Sequence, residues 1–155
     1  MIVRKMRPEE IDLNVNLFRQ YADEAKETNP TLGNQYDENS VITSIRQRNI
    51  NPEYCWFSLL DNGRPVGFVS GAITQTPWNL EIINAHIEMI YVLKEKRNID
   101  NFRRLVDTFE EWAINMDAVE ITAGDAGINP ERSKKIYESI GFKEGCLMTR
   151  EIAYE

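Results

Sequence analysis

The sequence predicts a single α/β domain, spanning residues 1–155, in which a mixed β-sheet carries helices on both faces. A chain of 155 residues is long enough for one hydrophobic core and too short for a second full-sized domain. Strand-like segments follow one another in the middle of the chain and predict an antiparallel meander. Strand and helix patterns then alternate, which implies a mixed sheet. The predicted order of elements is β–α–α–β–β–β–α–β–α–β.

The N-terminal part is predicted to form an edge strand and two helices. Residues 2–6 alternate apolar and charged side chains, as a short half-exposed strand does. Pro8, followed by two glutamates, favours a helix start, and apolar side chains recur on one helical face as far as residue 26. Proline and glycine within residues 27–34 end this helix. A second helix follows from residue 37 or 39 to residue 50.

The middle of the chain is predicted to form three consecutive strands. Residues 54–60 are a continuous apolar run, typical of a strand that is buried on both faces. An Asn-Gly pair follows, which is a strong hairpin signal. The returning strand covers residues 64–74 and contains Gly67 and Gly71, which indicate a bulge. The third strand is long and covers residues 79–92.

The C-terminal part is predicted to alternate helices and strands. Residues 98–116 carry apolar side chains at helical spacing along one face. A strand at residues 118–124 follows. Asn129 is the predicted N-cap of the next helix, with proline at the first helical position and Gly141 just past the end. Residues 143–153 are the predicted last strand.

The composition indicates an acidic globular protein. Hydrophobic residues make up 42% of the chain and charged residues 28%, and the formal net charge is −7. This charge disfavours nucleic acid and anionic membranes as partners, because both repel an acidic surface. The N-terminus is charged where a signal peptide needs an apolar stretch, and no apolar run is long enough to cross a bilayer. A cytoplasmic protein is therefore expected.

The cysteines do not indicate a metal site or a disulfide. Cys55 and Cys146 form neither a CxxC pair nor a cluster with His86, the single histidine. Both cysteines lie in apolar runs, so buried reduced thiols are expected. We expect no bound metal.

Two motifs carry a resemblance to a known family. The segment INPERSKKIYESIGFKE, residues 128–144, has an Asn after a strand, a Tyr on the following helix and then Gly-Phe. The segment HIEMIYVLKEKRNIDNFRRLV, residues 86–106, is a strand followed by a charged loop and a helix. Within the predicted element order, both motifs resemble those of the GNAT superfamily of acyl-CoA-dependent N-acyltransferases, and the resemblance covers nearly the whole chain. The residues that match the first motif are Asn129, Tyr137, Gly141 and Phe142.

The loop in the second motif departs from the family pattern. The pyrophosphate loop of that family typically reads Arg-x-x-Gly-x-Gly/Ala, and its Arg corresponds to Arg97. Asp100 and Phe102 occupy the two positions where the family has small residues, and Asn98 stands where a further glycine is common. A carboxylate and a bulky ring are therefore expected close to a pyrophosphate, where the first repels and the second obstructs. Basic residues compensate in charge without replacing the backbone donors of a glycine loop. They are Lys94, Lys96, Arg97, Arg103 and Arg104.

The resemblance also implies a site for acetyl-CoA as co-substrate. Backbone groups at the end of the central strand would hold its pantetheine arm, and the loop would hold its pyrophosphate. The cofactor-binding residues that the resemblance implies are Tyr91, Val92, Arg97, Asn98, Asp100, Phe102, Arg103 and Asn129.

Two catalytic residues are implied in the same way. Tyr137 would protonate the departing CoA thiolate; a ring that packs on the sheet with its hydroxyl at the surface is the structural alternative. Glu88 would deprotonate the attacking amine, directly or through water; a carboxylate that is paired with a nearby cation or faces a wet cleft is its alternative. Strict strand alternation places His86, Ile90 and Val92 on the face of Glu88.

Two functions remain open at this level. The first is an N-acetyltransferase that moves an acetyl group from acetyl-CoA to a primary amine of a small molecule or peptide. Direct attack is expected, because no nucleophile motif is present. The second is a GNAT-fold binding or structural module that has lost acetyl-CoA binding, which the glycine-free loop favours. The sequence indicates neither the acceptor nor the oligomeric state, and a homodimer remains open.

Overall fold

The computed structural model describes residues 1–124 and 128–145. Short 3-10 turns at Pro8–Glu10 and Lys94–Lys96 precede two of the helices. The helices and strands of this part are β1 (Ile2–Lys5), α1 (Ile11–Ala25), α2 (Pro30–Asn34), α3 (Glu38–Ile50), β2 (Tyr54–Asp61), β3 (Arg64–Thr76), β4 (Asn79–Val92), α4 (Ile99–Asn115), β5 (Glu120–Ala123) and α5 (Pro130–Ser139).

The strands form one mixed sheet in the order β1-β2-β3-β4-β5. The first four are antiparallel neighbours, as the meander predicts. Strand β5 lies parallel to β4, because α4 carries the chain back across the sheet before β5 begins. The predicted α/β class with a mixed sheet is confirmed.

Helices cover both faces of this sheet. On one face, the apolar side of α4, including Leu105 and Phe109, packs against the strands. On the other face, α1 and α3 contribute Leu17 and Ile45 to a second apolar cluster. All four side chains are buried, and we refer to the two sides as the α4 face and the α1/α3 face.

A β-bulge in β4 interrupts the alternation of side chains. Ile87 pairs with Gly71 and Met89 pairs with Ser70, so Glu88 is an extra residue of β4. A bulge of this kind bends the strand and increases its local twist. It lies beside Gly71, one of the two glycines that predict an irregularity.

The bulge corrects one expectation about the face of Glu88. Ile87 packs in the cluster of the α4 face, and beyond the bulge Ile90 and Val92 pack there as well. The extra residue shifts the period of two, so the predicted placement of Ile90 and Val92 beside Glu88 is wrong. His86 precedes the bulge and lies between Ala85 and Ile87, which both pack on the α4 face, so His86 faces the other side, where Glu88 contacts Arg48 of α3.

The segment between the first two long helices also differs from expectation. Residues 30–34 form the short helix α2, whereas proline and glycine predict only a break. Pro30 occupies the first turn, where a missing N–H costs no hydrogen bond. Most of the predicted last strand, at residues 143–153, lies outside the described residues, and Cys146 lies outside them too.

No helix in the described ranges combines the length and the apolar character needed to cross a lipid bilayer.

Candidate active site

The end of β4 and the first turns of α4 and α5 enclose a cavity of about 390 Å³. Two predicted site residues, Asp100 and Arg103, are exposed on α4 and do not line it. The predicted site residues that line the cavity are Glu88, Tyr91, Val92, Arg97, Asn98, Phe102, Asn129 and Tyr137.

Tyr137 reaches the cavity from α5, and local capping fixes this helix. The side chain of Asn129 accepts a hydrogen bond from the backbone N–H of Arg132 at 3.1 Å, and Pro130 follows the cap. Tyr137 is 8% exposed, and its ring centroid lies 5.1 Å from that of Phe102. The ring packs in the cluster of the α4 face with its hydroxyl buried, so the alternative with a surface hydroxyl does not hold, and the residue borders the cavity as a catalytic role requires.

Glu88 enters the cavity wall from the bulge of β4 and is paired with Arg48 of α3. Nε of Arg48 donates to one carboxylate oxygen at 2.8 Å, and Nη2 donates to the other at 3.2 Å. Arg48 is itself held, since Nη1 donates to Oγ of Ser44 at 2.6 Å and the guanidinium lies 5.2 Å from the ring centroid of Tyr54. A carboxylate offers about four lone-pair sites, so this fork leaves acceptor capacity on Glu88.

The loop between β4 and α4 is held by its own asparagines. The side chain of Asn98 caps α4 by accepting a hydrogen bond from the backbone N–H of Asn101 at 2.8 Å. The side-chain amide of Asn101 is buried and donates to the carbonyl of Lys96 at 2.8 Å. Asparagine side chains therefore stabilise a turn that contains no glycine.

Arg97 lies within this loop, and its side chain points back across the end of β4. Its Nε donates to the carbonyl oxygen of Val92 at 2.8 Å, and its Nη2 forms an ion pair with Glu24 of α1. Its guanidinium carbon lies 5.4 Å from the ring centroid of Tyr91. Burial raises the pKa of Tyr91, and the negative charge of Glu24 acts in the same direction.

Lys96 is the second basic residue of the loop with an acidic partner. Its Nζ lies 2.7 Å from a carboxylate oxygen of Asp61 at the end of β2. The hydrogen bond between them lowers the pKa of Asp61 and raises the pKa of Lys96. Two of the five basic residues expected to compensate for the missing glycines are thus paired with acids of the same chain.

Sequence reasoning does not find Arg48, Glu24 or the cavity-lining Arg132. Arg48 and Glu88 are 40 positions apart in the sequence, and Glu24 and Arg97 are 73 positions apart. No local sequence pattern marks ion pairs over such distances. Arg132 could have been identified from the sequence, because it lies in the first turn of a helix whose start the sequence predicts.

A sequence profile of the Acetyltransferase (GNAT) family matches residues 17–142. A probable acetyltransferase has a similar crystal structure, with a TM-score of 0.76 at 22% identity, covering 100% of both chains. AAC(6')-Iy, in complex with the bisubstrate analog CoA-S-monomethyl-acetylneamine, has a TM-score of 0.74 at 16% identity, covering 97% of each chain. The ribosomal-protein-alanine N-acetyltransferase from Brucella melitensis biovar Abortus 2308 has a TM-score of 0.73 at 15% identity, covering 99% of this chain and 100% of that chain.

These structural similarities, at low sequence identity, show a shared fold. The sequence has no match among curated proteins. Because the family profile covers more than half of the chain, the protein belongs to the GNAT acetyltransferase family.

Proposed function

We propose that the protein is an N-acetyltransferase that transfers an acetyl group from acetyl-CoA to a primary amine by direct attack. The observation that carries the proposal is a single cavity bordered by the end of β4, by Glu88 and by Tyr137. Membership of the GNAT family supports it independently. The solved acetyltransferases with the same fold include one complexed with a CoA bisubstrate analog.

The cavity wall suits the two ends of a CoA molecule. Apolar side chains, among them Ile90, Ile99 and Ile136, line the part next to the strand end and fit a pantetheine arm. Arg132 adds a cation at the first turn of α5, where the helix dipole also favours a phosphate. Acetyl-CoA supplies the activated thioester, and the side chains of this chain position it and move protons.

Glu88 would accept a proton from the amine as nitrogen attacks the carbonyl carbon, either directly or through one water. Arg48 leaves lone pairs of the carboxylate free for this step and fixes its orientation. As the C–S bond breaks, the hydroxyl of Tyr137 would donate its proton to the leaving thiolate. The proton on Glu88 then passes to solvent and Tyr137 regains one, so the cycle closes.

The test begins with calorimetric titration of acetyl-CoA into the protein. Binding should be measurable, and no binding up to about millimolar concentration would exclude the enzyme. Thiol release is then measured with neamine and with an alanyl peptide, because one protein of this fold is solved with an acetylneamine bisubstrate analog and another is named a ribosomal-protein-alanine N-acetyltransferase. Tyr137→Phe keeps the ring contacts and removes the hydroxyl; it should lower kcat about 100-fold with acetyl-CoA affinity unchanged. An unchanged rate would show that Tyr137 is not the acid.

The second candidate function is a binding or structural module that no longer takes acetyl-CoA. It is favoured by the loop, where Lys96 and Arg97 are engaged with acids of the same chain. The same titration separates the two candidates, because the module should not bind acetyl-CoA.

A further inference from the structure

The side chain of Arg97 reaches α1, although Arg97 belongs to the loop that precedes α4. It forms an ion pair with Glu24, and the two side chains are 21% and 27% exposed. Partial burial makes such a pair stronger than one in bulk water. The Nε hydrogen bond to Val92 holds the guanidinium in this orientation from a second direction.

The pair between Arg97 and Glu24 affects the net charge of the cavity wall. Among the described residues, the charged groups that line the cavity are Glu88, Arg97 and Arg132. Glu88 is balanced by Arg48, and Arg97 is balanced by Glu24. Arg132 belongs to neither of these two pairs, so its positive charge on the cavity wall is not offset by them.

CoA carries several phosphate groups, and a guanidinium binds phosphate through paired N–H donors. The Nε and Nη2 edge of Arg97 is engaged by Val92 and Glu24, so a phosphate that pairs with this edge must displace the carboxylate, and Glu24 also offsets the charge of the guanidinium. We infer that Glu24 is a positioning residue for Arg97, and that its carboxylate competes with the phosphates of CoA for this guanidinium. The inference rests on the proposed function and adds a residue of α1 to the cofactor site.

The test compares Glu24→Gln with Glu27→Gln by calorimetric titration with CoA. Glu24 lies in the last turn of α1 and Glu27 two residues beyond its end, so both substitutions remove one negative charge from this region, and Glu27 is exposed. Glu24→Gln should tighten CoA binding roughly three- to tenfold, because Arg97 is then released toward the phosphates. Glu27→Gln should change the affinity by less than about twofold, because its charge is exposed and screened. Urea unfolding of both variants checks that each is folded.

A third variant shows whether Glu24 acts through Arg97. In an Arg97→Gln background, adding Glu24→Gln should give no further tightening. The NMR signal of the Arg97 Nε–H group should also shift in the Glu24→Gln protein, and CoA should shift it in the wild-type protein.

The outcomes distinguish the inference from the function on which it rests. If the wild-type protein binds CoA and Glu24→Gln binds it equally well, the inference is wrong and the proposed function stands. Tightening that persists without Arg97 also overturns the inference. If neither protein binds CoA, both fail; if only Glu24→Gln binds it, the competition is confirmed in its strongest form.

Discussion

The ring of Phe102 packs edge-on against the ring of Tyr137, with centroids 5.1 Å apart and planes at 77°. Phe102 stands in the first turn of α4, at a position where the family pattern has a small residue. The ring also has a structural role, because it joins α4 to α5, the helix that carries the candidate acid. Aromatic pairs in this geometry are stabilising beyond the area they bury.

Replacing Phe102 with Ala should weaken this junction. The ring is half-buried, so we expect the free energy of unfolding to fall by about 1–2 kcal/mol in urea titrations. The rate of thiol release should fall too, because Tyr137 loses a packing partner. Arg103→Ala, on the exposed neighbour, should change the free energy of unfolding by less than about 0.5 kcal/mol. Equal losses in the two variants would contradict the role assigned to the ring.

Asp100 is the second residue of α4 and is exposed outside the cavity. Its carboxylate stabilises the helix start but would repel a pyrophosphate bound at the proposed cofactor site. Both Asp100→Asn and Asp100→Gly should therefore lower the dissociation constant for CoA, by roughly two- to fivefold in calorimetry. Asp100→Gly should in addition lower the free energy of unfolding by about 1 kcal/mol, because glycine is a poor helix former.

The two substitutions separate charge from backbone freedom. If only the glycine variant tightens binding, the missing backbone approach limits the affinity. Asp107→Asn removes an exposed charge two turns further along α4 and serves as the control. An equal gain with Asp107→Asn would show that the effect is not local to the loop.

The fork between Arg48 and Glu88 joins α3 to the bulge of β4. A double-mutant cycle with Arg48→Met and Glu88→Gln should give a coupling free energy of about 1–2 kcal/mol in urea unfolding, since both carboxylate oxygens accept hydrogen bonds from a charged donor. Arg46 is exposed on the same helix, so Arg46→Met with Glu88→Gln should show no coupling. Coupling below about 0.3 kcal/mol for the fork would mean that solvent screens it.

Local signals predict α5 closely, because each of them acts within a few residues. Asn129 caps the helix, Pro130 takes its first position, and Gly141 follows its end with a positive φ of 98°. Only glycine adopts such a φ without strain, so this residue marks a helix end in the sequence alone. The Asn–Tyr–Gly-Phe motif is readable for the same reason.

Long-range pairing sets the features that the sequence does not reveal. A Cβ on Gly71 would lie 2.2 Å from the carbonyl oxygen of His86, which explains why a glycine marks the irregularity. The extra residue nevertheless lies in the partner strand, at Glu88, and only the register shows this. The partners Arg48 and Glu24 come from helices far away in sequence, so no spacing rule identifies them.

Glu10 is a carboxylate whose ionisation makes the stability of the fold depend on pH. Arg4 donates to both of its oxygens, at 3.0 and 2.6 Å, and the backbone N–H of Arg7 donates at 2.9 Å. The hydrogen bond from Arg4 lowers the pKa of Glu10 from 4.5 to about 2. A pKa that is lower in the folded state adds stability above the unfolded-state value, and this contribution is lost as the pH falls from 4.5 toward about 2.

Glu10→Gln should accordingly lower the free energy of unfolding by about 1–2 kcal/mol at neutral pH, where the charge-assisted bonds are complete. The difference between variant and wild type should shrink at about pH 3, because the unfolded wild-type chain is then stabilised by protonation. Urea titrations at the two pH values measure this difference. Glu9→Gln, on the exposed neighbour, should leave the pH dependence of the wild type intact. If the difference in the free energy of unfolding between Glu10→Gln and the wild type stays constant with pH, the ionisation of Glu10 does not contribute to stability.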